Sequence, residues 1–262
     1  GILGTFLVLR RRALASDALS HATLPGITTA FLIALAVGWN PRSLPLLLAG
    51  ALISGLFGVA VLQALARWTR LTEDTATGIV LSVFFGIGIV MLSHIQSLDA
   101  GGQAGLKSFI LGQTAAMSAR DVQIITVFAA LAVAVVLLLF KEFRLVIFDP
   151  AFAREQGWPV QFLDLVLMAL VALVVVLGLQ AVGLLLSVAL LVIPACAARF
   201  WTDRLSVMVF LAGLIGALSG YTGTALSSLF PDIPTGAIIV LVAGVLFLAS
   251  FLAHTVRRRT AS

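Results

Sequence analysis

Charge is what this chain has least of: 10% of its 262 residues are charged, where an ordinary globular domain carries about 25%. With 61% hydrophobic side chains to cover, that polar surface is too small for a water-soluble domain. Cys196 is the only cysteine, so an intrachain disulfide and a cysteine-rich metal cluster are both excluded. No G-x-x-x-x-G-K-[ST] run is present, so the chain cannot supply a phosphate loop of its own, and no H-E-x-x-H run offers a metallohydrolase helix. No polar stretch is long enough to bury a separate core, and neither a low-complexity linker nor a tandem repeat is evident.

Long apolar runs fill the space that charge leaves. Mean hydropathy is +1.17, and about 20 helical residues cross a hydrocarbon core of roughly 30 Å. The runs are continuous rather than alternating, and a spanning backbone must satisfy its own hydrogen bonds, so helices are expected rather than a β-barrel. Apolar segments fall at 18–38, 43–66, 76–97, 122–140, 161–180, 182–200, 205–229 and 235–254. Residues 1–9, GILGTFLVL, reach only about 13–14 Å as a helix and read as the tail of a truncated first helix. Leu106–Met117 is too short to span and reads as re-entrant or interfacial. The predicted fold is all-α, a polytopic membrane helical bundle of about eight or nine spanning helices. Its glycines, among them Gly50, Gly55, Gly58, Gly78, Gly86, Gly88, Gly213, Gly216 and Gly220, are expected near helix contacts.

The net charge of +5 sets orientation rather than attraction to nucleic acid, and no nucleic-acid partner is expected. Arg10–Arg12, Arg67, Arg70, Lys141, Arg144, Arg154, Arg199, Arg204 and Arg257–Arg259 fall on one side if the segments alternate. Thirteen of the sixteen basic residues belong to that group, so it is the cytoplasmic side. Arg42, Lys107 and Arg120 fall on the other.

Ionisable residues inside a spanning segment are expensive and are functional candidates by default. Asp17 and His21 stand four residues apart in ALASDALSHATLP, so on a helix both project from one face, with Cβ atoms about 5–6 Å apart. A carboxylate with an imidazole suits borderline divalent ions such as Mn²⁺, Fe²⁺ and Zn²⁺. The bland reading is a solvated or capping pair at a helix start near the arginines, one of which Asp17 could meet in a salt bridge. A continuous helix puts Asp17 only about 8 Å beyond Arg12, and a broken helix lining a cavity would relieve that shallow placement. His94, near the outer end of its helix with Gln96 and Asp99, is a second metal candidate or an interfacial histidine. His254 reads as a solvated helix end, Cys196 as an inert buried thiol, Glu73 and Asp74 as a helix start, and Asp232 as a turn residue.

The longest cytoplasmic interruption is KEFRLVIFDPAFAREQGWPV, residues 141–160. Asp149 followed by Pro150 reads as an N-cap with proline at N1. The short helix that follows, with Ala153 in its small-residue body, should stop near Gly157 and offer a surface to another protein.

Several segments together resemble the membrane subunit of ABC-type manganese/zinc/iron importers (the ABC-3 type metal permeases). They are FLVLRRRALASDALSHATLPG (6–26), GIVLSVFFGIGIVMLS (78–93), SFILGQ (108–113), FDPAFAREQGWPV (148–160), GLQAVGLLLSVALLVIPACAAR (178–199) and PTGAIIVL (234–241). The resemblance implies a single permease domain over 1–262, similar in fold to the vitamin B12 and siderophore importers, in a bacterial cytoplasmic membrane. It implies a cytoplasmic ABC ATPase dimer, an extracytoplasmic metal-binding protein and a second permease subunit, identical or related, as partners in the lipid bilayer. On this likeness Asp17 and His21 contact the metal in transit, and Asp149, Pro150, Ala153 and Gly157 belong to a coupling helix over 149–157. No permanently bound cofactor is implied, only transported Mn²⁺, Fe²⁺ or Zn²⁺, with GLQAVG and GIVLSVFFG closer to the manganese and iron branch. The rival readings are a permease for a chelated metal or siderophore, a secondary transporter, and an intramembrane metalloenzyme, for which a third ligand or base is missing.

Overall fold

Hydrocarbon offers a backbone no water to bond, so each apolar run closes its hydrogen bonds on itself. The computed structural model describes residues 1–41, 43–97, 118–229 and 234–261; the Leu106–Met117 segment, Arg42, Asp99, Lys107 and Asp232 lie outside them. Among the described residues the helices are α1 (Ile2–Leu9), α2 (Ala13–Ala22), α3 (Leu24–Val37), α4 (Leu44–Trp68), α5 (Glu73–Ser97) and α6 (Ala119–Leu138). They continue with α7 (Phe140–Phe148), α8 (Pro150–Glu155), α9 (Val160–Val182), α10 (Leu184–Arg199), α11 (Leu205–Ser227) and α12 (Thr235–Ala261).

Among the described residues seven spans are long and apolar enough to cross a membrane, with α2 and α3 counted together as Ala13–Val37. Each of the eight expected segments falls on a helix, but the 182–200 segment gives the 16-residue α10, only about 24 Å long. Gly183, at φ 89°, separates it from α9 by a single residue. The expected start of the first full span at 18 is corrected to Ala13, where helix resumes directly after the arginines.

The chain divides into two compact units, Gly1–Ala13 with Leu186–Ser262, and Leu14–Leu185. In the first, α1 lies along α10 and α11. A Cβ on Gly4 would strike the Leu191 carbonyl, and Ile2 fills the space beside Gly213. Gly223 lets α11 approach the Ile239 backbone of α12. In lipid, tails are as apolar as leucine, so such close backbone packing, rather than the hydrophobic effect, holds helices together. His254 Nδ1 lies 2.9 Å from the Phe200 carbonyl, which accepts from it in the Nδ1–H tautomer. The expected solvated helix end is therefore a half-buried tie between α12 and the end of α10.

The second unit holds the candidate site. Its core includes Leu24, Ile27, Phe31, Leu47, Ile95 and Leu179, from α3, α4, α5 and α9. A second cluster joins Ala15 and Ala22 to Leu62, Val80 and Phe84. Contacts fix the directions. Gly26 meets Gly50 and Ala22 meets Gly58, so α3 and α4 are antiparallel. His21 meets Phe85, Leu24 and Pro25 meet Gly88, and Thr28 meets Met91, so α3 and α5 run parallel. The α5 start follows expectation, with Glu73 and Asp74 in the first turn.

Candidate metal-translocation site

Pro25 decides the local geometry of the site. It has no N–H to offer the His21 carbonyl four residues earlier, and its ring crowds that carbonyl. The helix therefore breaks at Thr23, between α2 and α3. Hydroxyls add hydrogen bonds to backbone carbonyls around the break. Ser20 donates to the Asp17 carbonyl at 2.7 Å, Thr23 to the Ser20 carbonyl at 2.6 Å, and Thr28 to the Leu24 carbonyl at 3.0 Å. The Ala22 carbonyl accepts from Ser54 on α4 at 2.6 Å. Serine and threonine commonly stabilise interrupted membrane helices in this way.

One stripe of this doubled helix stays accessible. From Ala15 to Phe31 every residue is buried except Asp17, His21, Pro25 and Thr29, each four positions after the last. Above His21 the stripe opens into a groove of about 390 Å³ between α3 and α4, lined by Pro25, Thr29, Ile33, Ile53, Ser54 and Phe57. Asp17 and His21 are the ionisable members of the stripe.

Their side chains meet: His21 Nε2 lies 3.6 Å from Asp17 Oδ1, with 14% and 35% of the respective side chains exposed. That is too long for a hydrogen bond but suits two ligands of one ion. With bond lengths of about 2.1 Å, a 3.6 Å separation subtends about 118° at the metal, close to tetrahedral. The His21 ring is set edge-on against Phe85, with centroids 4.8 Å apart, and its Nδ1 is buried without a hydrogen-bond partner. No group of three or more His, Cys, Asp or Glu side chains capable of holding a metal occurs among the described residues.

The other candidates lie elsewhere. His94 is exposed in the last turn of α5. It stands nine residues beyond Phe85, about 13–14 Å along the helix, so the structure does not bring it to the Asp17–His21 pair. The 149–157 element forms α8. Asp149 Oδ1 accepts from the Phe152 amide at 2.9 Å, Pro150 opens the helix, and Gly157 leaves it at φ 80°. The amides of Gly157 and Trp158 donate to the carbonyls of Arg154 and Ala153, both at 3.0 Å, which is a complete Schellman exit. Ala153 is fully buried and seats α8 on its own unit, while Phe148, Phe152 and Trp158 are exposed. Cys196 is half-buried and free.

Sequence reasoning missed two polar positions. Ser54 caps the broken turn from 32 residues away, and no local pattern announces it. Gln63 donates to the Asp164 carboxylate at 3.5 Å, joining α4 to α9; a carboxylate within FLDLVLM was signal enough to ask for such a partner.

The model of the ABC 3 transport family matches residues 1–254. Over 252 residues the chain is 44% identical to the manganese transport system membrane protein MntC of Bacillus subtilis, covering 96% of this chain and 57% of that one. Over 242 residues it is 45% identical to the zinc transport system membrane protein TroC of Treponema pallidum, covering 92% and 80% respectively. Among solved structures it resembles PsaBC from Streptococcus pneumoniae in complex with Fab. The TM-score is 0.80 at 30% identity, over 96% of this chain and 85% of that one.

Proposed function

Because the chain belongs to the ABC 3 transport family, we propose that it is the membrane permease subunit of an ATP-driven importer of divalent transition-metal ions. Asp17 and His21 hold the ion in transit. The observation that carries this reading is the single accessible stripe between Ala15 and Phe31, with its ionisable side chains, Asp17 and His21, spaced for one metal. Two protein ligands bind weakly enough to release the ion, whereas a closed four-ligand cage would retain it. Water or a second permease subunit laid over the stripe supplies the remaining ligands. His94 stands at the extracytoplasmic end, where a metal-binding protein would deliver the ion.

The permease performs no covalent chemistry, and a separate cytoplasmic ATPase dimer hydrolyses ATP. The α8 element is its docking point: Asp149, Pro150 and Gly157 shape the helix, buried Ala153 anchors it, and Phe148, Phe152 and Trp158 face outward. Transport follows alternating access in a bacterial cytoplasmic membrane, where this multi-pass chain resides. The cargo is Mn²⁺, Fe²⁺ or Zn²⁺; relatives at nearly equal identity carry manganese and zinc names. The groove of about 390 Å³ above the pair is also roomy enough for a chelated ion, which is the second reading.

Elemental analysis of cells carrying the whole transporter tests the role of the pair. His21→Ala and Asp17→Asn should each bring accumulation of one metal down to the level of cells lacking the transporter, with the protein still present in the membrane. Accumulation equal to wild type in both variants would remove the pair from the path.

A further inference from the structure

The seat of the broken turn lies on α4. Three of its residues, each four apart, meet the break in succession. Gly50 packs against the Gly26 backbone, Ser54 donates to the Ala22 carbonyl at 2.6 Å, and Gly58 receives the Ala22 side chain. A Cβ on Gly58 would stand 2.7 Å from Ala22 Cβ, and one on Gly50 would stand 2.6 Å from Ala30 Cβ. The glycines thus set the distance between α3 and α4 and leave no slack in it. Ser54 is the one member that bonds. Ala22 is the residue next to His21, and its helical partner would be the Gly26 amide one turn on. Instead the Ser54 hydroxyl, at the edge of the groove, holds that carbonyl.

We infer that Ser54 is a positioning residue for the transit site: its hydrogen bond to the Ala22 carbonyl fixes the turn that aims the His21 imidazole toward Asp17. The inference rests on the reading of Asp17 and His21 as metal ligands. Without the hydroxyl, a carbonyl in an apolar setting loses its partner, and the turn moves to recover one. No hydrogen bond at Nδ1 fixes the His21 ring, which is buried there and lies between the Asp17 carboxylate and the Phe85 edge.

Metal preference gives a readout that simple loss of folded protein does not move. Imidazole contributes more to binding Zn²⁺ than to binding Mn²⁺, for which carboxylate, carbonyl and water suffice. A loosened His21 therefore penalises zinc more. The experiment measures half-saturating concentrations of Zn²⁺ and Mn²⁺, as substrate or as competitor, in cells carrying the complete transporter, normalised to permease in the membrane. In Ser54→Ala the zinc-to-manganese ratio should rise about tenfold over wild type, the scale of one lost buried hydrogen bond. Ser54→Cys, which keeps a weak S–H donor, should fall between, and it carries the test alone if the alanine variant does not reach the membrane. An unchanged ratio in the variants, with only the amount of transporter reduced, overturns the positioning role. His21→Ala in the same assay separates the two failures. If it transports normally, the transit reading itself falls; if it is inactive while the Ser54 variants keep the wild-type ratio, only the role of Ser54 falls.

Discussion

Pro25 stands at a helix break in the middle of a membrane span and Pro150 at one in a short connection between spans, and the chain treats them differently. Around Pro150 every compensating group is local. The Asp149 carboxylate accepts from the Phe152 amide, and the exit bonds of Gly157 and Trp158 return to Arg154 and Ala153. Ten residues, Asp149–Trp158, complete the motif. Around Pro25 no side chain caps α3 from Thr23, and the Ala22 carbonyl finds its donor on another helix, at Ser54. The difference follows from the solvent. At the membrane surface a spare backbone group can bond water, so a break needs only a local cap. Inside hydrocarbon an unpaired group costs several kcal/mol by general estimates, so a break survives only where a neighbouring helix completes it. The interrupted span becomes dependent on the helix that seats it, and the site inherits that dependence.

The strongest way to break the contrast is to unseat the buried proline without touching either site residue. Gly50→Leu places a side chain where even a Cβ would stand 2.5 Å from the Gly26 carbonyl oxygen. Backbone must move, at a cost of about 3 kcal/mol or more. Folded permease recovered from membranes by size-exclusion chromatography should fall to a small fraction of wild type. Recovery near wild-type levels would show that α4 is not the seat of the break.

Cutting the local cap should do less. Asp149→Ala removes an N-cap worth about 1 kcal/mol, so α8 frays while the spans stay folded. ATP-driven uptake should drop about fivefold, with faster amide exchange over Pro150–Glu155 and wild-type yield from membranes. Asp149→Asn, which still caps, should retain most of the uptake. Equal loss in both variants would point to the charge of Asp149 rather than its hydrogen bond.

The same contrast explains what could be read from the sequence. Asp149, Pro150 and Gly157 lie close together in the chain and use side chains with known local preferences, so α8 could be placed nearly to the residue. The long apolar runs and the i,i+4 spacing of Asp17 and His21 were equally visible, because a single helix expresses them. Pro25 was visible as a residue, but its consequence was not. The break, the stripe through Pro25 and Thr29, and the capping by Ser54 all depend on which face of α4 meets α3. That choice is made by Gly50 and Gly58, and glycine spacing in the sequence marks closeness without naming the partner. The Gln63–Asp164 contact was hidden for the same reason: its members are 101 residues apart.

Arg11 gives the smallest and sharpest test of local against distant control. It ends α1 as Gly157 ends α8: the amides of Arg11 and Arg12 donate to the carbonyls of Val8 and Leu7 at 3.1 and 2.9 Å. The turn requires a left-handed residue, and Arg11 takes it at φ 59°, the one non-glycine with positive φ among the described residues. An L side chain pays about 1–2 kcal/mol for that conformation. The charge explains why glycine does not stand there, since Arg10–Arg12 lie on the side that basic residues mark as cytoplasmic. Arg11→Gly should therefore raise the thermal midpoint of the purified protein by about 2–4 °C, with Arg10 and Arg12 still holding the orientation. Arg11→Ala removes the same charge but keeps the Cβ, so it should gain nothing. Equal gains in the two variants would assign the strain to crowding among three adjacent arginines, and a gain confined to glycine would assign it to the backbone.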